Sequence, residues 1–384
     1  MRISDLVAAA DSIAPLALAE EWDNVGLLIG SGSWPLAGPV LLTIDLTESV
    51  AREAVAMRAG AVIAYHPPIF AAVKRITDGP ASTAAERIVL SMIREGIAVY
   101  SPHTALDATP GGVTDWLADG LAGGGDGARA GDRRALRSHL RRDPTQEVKI
   151  VTFVPERDAA RVRDALASGG AGRIGEYQLC SFSAPGTGTF LGGEQTNPAA
   201  GTPGVLESVP ELRLEMVCAR RAVALAITTL RQFHPYEEPA IDVYPLEPRP
   251  DRSVGAGRRM MLDHPASLSS LADRLKNHLN VGAVQIAAAS GNSSSPVSCI
   301  GVVPGAGASL AGQARAEGCE VFVTGEMKHH EVTAALAAGL SIILGGHTAT
   351  ERGYLPSYGA LLKKLLPAAG FVVSTTDRDP LTLR

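Results

Sequence analysis

Twice within the first hundred residues the chain runs from an apolar strand through a capped helix to a second apolar strand. No other feature restricts the fold so much. "VLLTIDL" (40–46) reads as a buried strand, and "TESVAREAVAMRAG" (47–60) follows as a helix with Thr47 as N-cap and Gly60 as its stop. "AVIAY" is the next strand. "TAAERIVLSMIREG" repeats the device with Thr83 and Glu86 at capping-box spacing and Gly96 as terminator, and strand "IAVYSPH" comes after it. Strands joined by single helices lie parallel, with helices on the faces of the sheet. The last third alternates in the same way: helix "SLAGQARAEG", strand "CEVFVTG", a helix after "EMKHHE", strand "SIILGG", then "HTATERGYLPSYGALLKKLL".

Between these parts the pattern changes. "LAGGGDGARAGD" (121–132) is a loop or linker, and residues 146–247 read as a separate unit. Its order is strand "EVKIVTFVP", helix "ERDAARVRDALASGG", Gly-rich strands and loops, strand "ELRLEMVCA", helix "RRAVALAITTLRQF" and strand "AIDVYPLE". That sequence of elements approximates the split β-α-β, ferredoxin-like pattern. "PRPDRSVGAG" (248–257) is a hinge returning to the main body. The expected architecture is α/β: a two-section core, 1–130 and 255–384, with an inserted ferredoxin-like α+β domain at 146–247.

Composition excludes several classes of function. The 384 residues suffice for two or three domains, and a net charge of −5 without a basic block argues against nucleic acid and anionic membranes as partners. The apolar N-terminus is interrupted by Asp5, Asp11 and Pro15, which suits an amphipathic helix better than a signal peptide. No run reaches the roughly 20 apolar residues of a membrane span. Cys180, Cys218, Cys299 and Cys319 are scattered without C-x-x-C spacing, which fits a reducing cytoplasm and leaves metal chemistry to histidine and carboxylate.

Open α/β sheets carry their sites at the carboxyl ends of strands. His66 follows "AVIAY"; His103 and Asp107 follow "IAVYSP"; Glu326, His329 and His330 follow "EVFVTG"; His347 and Glu351 follow "SIILGG". In "GGHTATE" a helix starting near His347 would put His347 and Glu351 one turn apart on one face, a usual arrangement for a divalent metal. His103 and Asp107 repeat the two ligand types at the same spacing, but Pro102 and "ATPGG" make that stretch a loop. His66 is the third contributor, its backbone held by Pro67 and Pro68. Structural readings stand beside these: a histidine at a strand end can simply be hydrogen-bonded, His347 and Glu351 can be an ordinary helix start, and Glu326 can charge a helix N-terminus. His329 and His330 point about 100° apart, so at most one faces a given site. "HPYEEP" (234–239) is a turn, and "GTGTFLGG" (186–193) lacks the Lys-Ser/Thr and helix of a phosphate loop.

Five motifs in this order, "EEWDNVGLLIG", "YHPPIF", "HTALDATPGG", "TGEMKHH" and "GHTATE", resemble the GTP cyclohydrolase 1 type 2 homologue family, the Nif-three-like dinuclear metal-centre hexameric proteins. The resemblance covers about 1–120 and 255–384. "GRIGEYQLCSFSAPGTGTF" and "HPYEEPAIDVYPLE" are similar to the P-II/CutA-like insert of the longer members, while 121–145 matches nothing. The resemblance implies two divalent ions facing the cavity of a ring-shaped homo-hexamer. Its ligands would be His66, Asp107, His347 and Glu351, with Glu351 as the bridge. Many members carry His-His-Pro where this chain has Tyr65-His66-Pro67, a change found within the family that removes one imidazole from one ion. Tyr65 could then bind through its phenol, position a water or do neither. His103 could be a further ligand, an orienting group or a proton carrier. Two histidines and two carboxylates favour zinc, iron or manganese over calcium or copper(I). The implied reaction is hydrolytic opening of the purine ring of GTP, with His103, Glu326 or His330 as proton carriers. The alternative is a non-catalytic metal-binding hexamer whose insert senses a small molecule.

Overall fold

A computed structural model describes residues 1–73, 75–77, 79–123, 132–141, 143–289 and 293–381. The chain divides into two compact units: Met1–His139 with Asp251–Arg384, and Leu140–Pro250. Most of the segment expected to be a linker, 124–131, lies outside the described residues. No helix among the described residues is long and apolar enough to cross a membrane.

The first unit holds two sheets. In one, strands Ala98–Ser101, Ala61–Ala64, Val40–Thr43 and Phe371–Val373 lie parallel in that spatial order, and Gly26–Ile29 closes the edge antiparallel. Side chains alternate between faces along these strands. Leu41, Val62, Ala64 and Val99 pack on Val50 and Ala54 of helix Glu48–Ala56 and on Ile88 and Met92 of helix Ala84–Arg94. Val40, Leu42, Ala61, Ile63, Ala98 and Tyr100 pack the other way, on helices Ile3–Ile13 and Leu355–Leu365. Full burial of one such aliphatic side chain contributes about 1.5–3 kcal/mol. Burial on both faces explains why the strands read as unbroken apolar runs.

The second sheet runs Gln285–Ala287, Ser341–Leu344, Val321–Thr324, Pro296–Val302, Arg258–Ser267, Arg133–Arg134. Its three central strands are parallel and the others antiparallel. Val321, Val323 and Ile343 face helices Val113–Ala122 and Leu268–Leu279, while Phe322 and Ile342 face helices Ala311–Ala316 and His329–Ala337.

In the second unit, strands Val148–Val154, Phe182–Leu191, Leu206–Cys218 and Ile241–Pro245 form one antiparallel sheet in the spatial order fourth, first, third, second. Helices Glu156–Ser168 and Val223–Phe233 bury Val162, Leu166, Ala226 and Leu230 against Val148, Ile150, Leu214 and Met216.

Several local expectations need correction. Residues 103–108 are a helix, not a loop, because Pro102 stands at the N-cap, where a missing N–H removes no intrahelical bond. Residues 249–256, within the expected hinge, form a strand paired with Arg137–Arg141, and the division between the two units falls inside it. The helix after Thr47 ends at Ala56, and the left-handed residue is Arg58 (φ 52°), not Gly60. Gly60 instead lets Ala37 and Gly38 approach, since a Cβ there would lie 3.0 Å from the Ala37 nitrogen. Thr83 does accept from the Glu86 amide, but the Glu86 carboxylate bonds Thr77 instead of completing the box.

Candidate metal centre

The parallel strands of both sheets end at one cavity of the first unit, about 420 Å³ in volume. Backbone pairing carries His66 there: after strand Ala61–Ala64, the amides of Tyr65 and His66 continue onto the carbonyls of Thr43 and Ile44. The second sheet delivers His347 after Ser341–Leu344 through Gly346, whose φ of 90° suits glycine. Helix Ala349–Arg352 then turns Glu351 back toward His347.

His66, His347 and Glu351 form a cluster whose donor atoms lie within 4.8 Å of one another. Each oxygen of the Glu351 carboxylate faces one imidazole: Oε2 is 3.4 Å from His66 Nε2, and Oε1 is 3.5 Å from His347 Nε2. The far nitrogen of each ring is taken by another carboxylate. His66 Nδ1 meets Asp45 Oδ1 at 2.9 Å, and His347 Nδ1 meets Glu326 Oε1 at 3.0 Å. An acceptor at Nδ1 keeps a proton there, so Nε2 is the nitrogen that a metal would take in place of its proton, as in carboxylate–histidine–metal arrangements. Burial disfavours a charged His66, yet the carboxylates of Asp45 and Glu351 overcome it and raise its pKa to about 10. The hydrogen bond with His66 in turn lowers the Asp45 pKa.

These residues fit a divalent cation. The Glu351 side chain is 4% exposed, and among the described residues its buried Oε2 has no partner besides the 3.4 Å contact to His66 Nε2, a corner that suits a cation. Gly305 (φ 60°) lies against this corner: a Cβ there would run into Glu351 Oε1 and lie 3.2 Å from His347 Nε2. Two imidazoles and a carboxylate are ordinary donors to zinc, iron or manganese.

The same cavity holds a second set of groups beside the cluster. The buried Tyr65 hydroxyl donates to Asp107 Oδ1 at 2.5 Å. Burial pushes the Asp107 carboxyl up to about 6, against the attraction of His103 and the Tyr65 hydrogen bond. Burial, with the charges of Asp107 and Glu351, holds the Tyr65 phenol well above its usual value. His103 Nδ1 meets Asp23 Oδ1 at 2.8 Å, so the nitrogen available to a ligand is Nε2. The Asp23 side chain is fully buried and also accepts from the Thr104 amide and hydroxyl. The His66 ring lies 5.3 Å from that of His103 and 5.4 Å from that of His347.

Of the residues singled out in the sequence, the structure brings His66, His347 and Glu351 into one cluster. It places Asp107 and His103 on the wall of the same cavity. Tyr65 reaches Asp107 rather than the cluster. Glu326 orients His347, and His330 opens helix His329–Ala337 as an exposed residue that does not line the cavity. Sequence reasoning missed Asp45, Asp23 and Gly305. Asp45 carried a usable signal, since it follows an apolar strand as His66 does. Asp23 and Gly305 sit in irregular segments whose role depends on residues far along the chain.

Comparison with known proteins gives a consistent result. The family model described as Duf34/NIF3 (NGG1p interacting factor 3) matches residues 1–380. The chain is 34% identical to a "GTP cyclohydrolase 1 type 2 homolog" of Bacillus subtilis over 98% of its length and 97% of that protein. It is 33% identical to "NIF3-like protein 1" of Bos taurus, over 99% of this chain and 92% of that protein. A crystal structure of a Bacillus cereus protein related to NIF3 is similar with a TM-score of 0.65 and 32% identity, covering 100% of this chain and 99% of that one. The chain therefore belongs to the Duf34/NIF3 family.

Proposed function

We propose that the protein is a metal-dependent hydrolase whose divalent ion is held by His66, His347 and Glu351. The observation that carries this reading is the buried Glu351 carboxylate set between two Nε2 atoms, with one oxygen toward each. Asp107 is proposed as a residue that would hold a second ion. When bound, such an ion lowers the pKa of water and polarises the group under attack. The chain's own residues supply the rest: Asp45 and Glu326 fix the two imidazoles, and Asp23 holds His103 so that its Nε2 can pass a proton within the cavity. Hydrolytic opening of a purine nucleotide such as GTP is the proposed reaction, supported by the name of the Bacillus subtilis relative and by a cavity large enough for a nucleobase.

The second unit is proposed to be a ferredoxin-like, P-II/CutA-like insert. Its β-α-β-β-α-β element order and its fourth-first-third-second antiparallel sheet support that reading. A ring-shaped homo-hexamer in the cytoplasm completes the proposal. The deciding experiment measures bound zinc, iron and manganese and GTP turnover in wild-type protein and His347→Ala. Metal retention with turnover only in the wild type supports the hydrolase. Metal retention with no turnover of any nucleotide or phosphoester would favour a non-catalytic metal-binding scaffold, and equal metal content in both proteins would remove the site.

A further inference from the structure

We infer that Trp22 and Phe70 are the surface on which this cavity recognises a flat heteroaromatic ring. The site then takes a ligand with a planar π face at one end and a polar, metal-seeking group at the other. The inference rests on the proposed function above and adds the residues that recognise the substrate's ring.

Trp22 and Phe70 line the same cavity as His66, His347 and Glu351, yet they are 61% and 58% exposed. The chain has only three tryptophans, and the other two, Trp34 and Trp116, pack against the cores. Trp22 is therefore not part of the packing that holds the fold. Two large aromatic side chains adjacent at the mouth of a polar cavity mark a binding surface. Their ring centroids are 6.0 Å apart at 52°, and the edge of His103 meets Trp22 at 6.1 Å. The pair forms an open wedge: a flat ring can lie on one face while its rim meets the other, in the offset and edge-on contacts that aromatic groups prefer. Two inclined rings do not make the closed cage that suits a quaternary ammonium.

The wedge is fixed by the residues next to it. Asp23, adjacent to Trp22, is anchored on His103 and Thr104. Asn24 Nδ2 donates at 2.5 Å to the carbonyl of Ile69, adjacent to Phe70. One tripeptide, Trp22-Asp23-Asn24, thus places both rings and orients the imidazole beside the candidate ligands. These contacts fix the backbone that carries the two rings, so little main-chain freedom is lost when a ligand arrives.

The test titrates guanosine, with ribose as the non-aromatic control, into zinc-loaded and metal-free full-length protein by calorimetry, and records bound zinc in parallel. Wild type should bind guanosine and not ribose. Trp22→Ala should weaken guanosine binding by about tenfold or more, the scale of one base–aromatic stacking contact. Trp22→Tyr should stay close to wild type, and zinc content should be unchanged in all three. Failure of zinc-loaded wild type to bind guanosine would overturn the inference, as would equal affinity in wild type and a Trp22→Ala/Phe70→Ala double variant. Loss of zinc binding would strike the metal reading instead. The aromatic surface needs no ion, so the metal-free titration still decides the Trp22 effect.

Discussion

Replacing Arg258 by methionine should destabilise the first unit by about 3–5 kcal/mol, the usual cost of stranding one member of a buried ion pair. Arg258 is 2% exposed and makes five hydrogen bonds. Its Nε donates to Asp115 Oδ1 at 2.8 Å, and its terminal nitrogens donate to the carbonyls of Gly255, Gly257, Ala108 and Thr109. The residue thus ties the end of helix His103–Ala108 and helix Val113–Ala122 to strand Arg258–Ser267. Methionine fills much of the same volume, so little of the loss would come from a cavity. Among the described residues, Asp115 would keep only the Gly111 amide, at 2.6 Å, to satisfy a nearly buried carboxylate. In a folding unit of this size the loss corresponds to a fall in melting temperature of roughly 10 °C. Urea unfolding followed by far-UV circular dichroism, with the two units treated as separate transitions, reads it directly. Adding Asp115→Asn removes the stranded charge and should recover part of the stability. A single variant that loses less than about 1 kcal/mol, or a double variant no more stable than the single, would refute the claim that the buried pair carries this cost.

Other outcomes test the centre and the chain's end. Glu351→Gln keeps the side chain's shape but removes its charge, and should weaken zinc binding more than the roughly 10- to 100-fold expected for Asp45→Asn, which only orients His66; competition with a chromogenic chelator ranks the two. Gly305→Val puts a β-branched residue at φ 60° and a Cβ against Glu351, so it should lower zinc affinity, whereas Gly312→Ala points into open space and should not. Glu53 accepts from Ser374, Thr375 and Thr376, tying helix Glu48–Ala56 to the segment after the last strand. Despite partial burial, those hydrogen bonds lower its pKa from 4.5 to about 2. A lowered carboxyl pKa stabilises the fold above its ordinary value and loses that contribution as pH falls toward 2. The hydrogen-exchange protection factors of residues 371–377, taken relative to intrinsic exchange rates at each pH, should therefore fall between pH 4.5 and 2, and Glu53→Gln should abolish that fall.

The candidate site was only partly legible in the sequence. His66, His347 and Glu351 could be found because strand ends are local features: an apolar run stops and a metal-capable side chain follows. The pairing of those side chains with their partners could not. Glu326 and Asp45 orient their imidazoles through sequence separations of about twenty residues, while Asp23 meets His103 eighty residues away. Tyr65 offered three readings from the sequence, and its buried bond to Asp107 depends on how helix His103–Ala108 lies against the strand. The expected loop there failed because a proline that forbids a helix interior is tolerated at a helix start.

By itself the sequence determined the local periodicities: which segments are doubly buried strands, which helices cover them, and where polar groups emerge. Those properties follow from residue type and spacing within a few turns of chain. Only the tertiary structure decided that the last helix and strand, Leu355–Leu365 and Phe371–Val373, return to the first sheet, which the residues before them had left for the second. It also decided that one carboxylate sits between imidazoles from both sheets. Strand order and convergence of this kind arise from packing among residues hundreds of positions apart, and no local spacing encodes them.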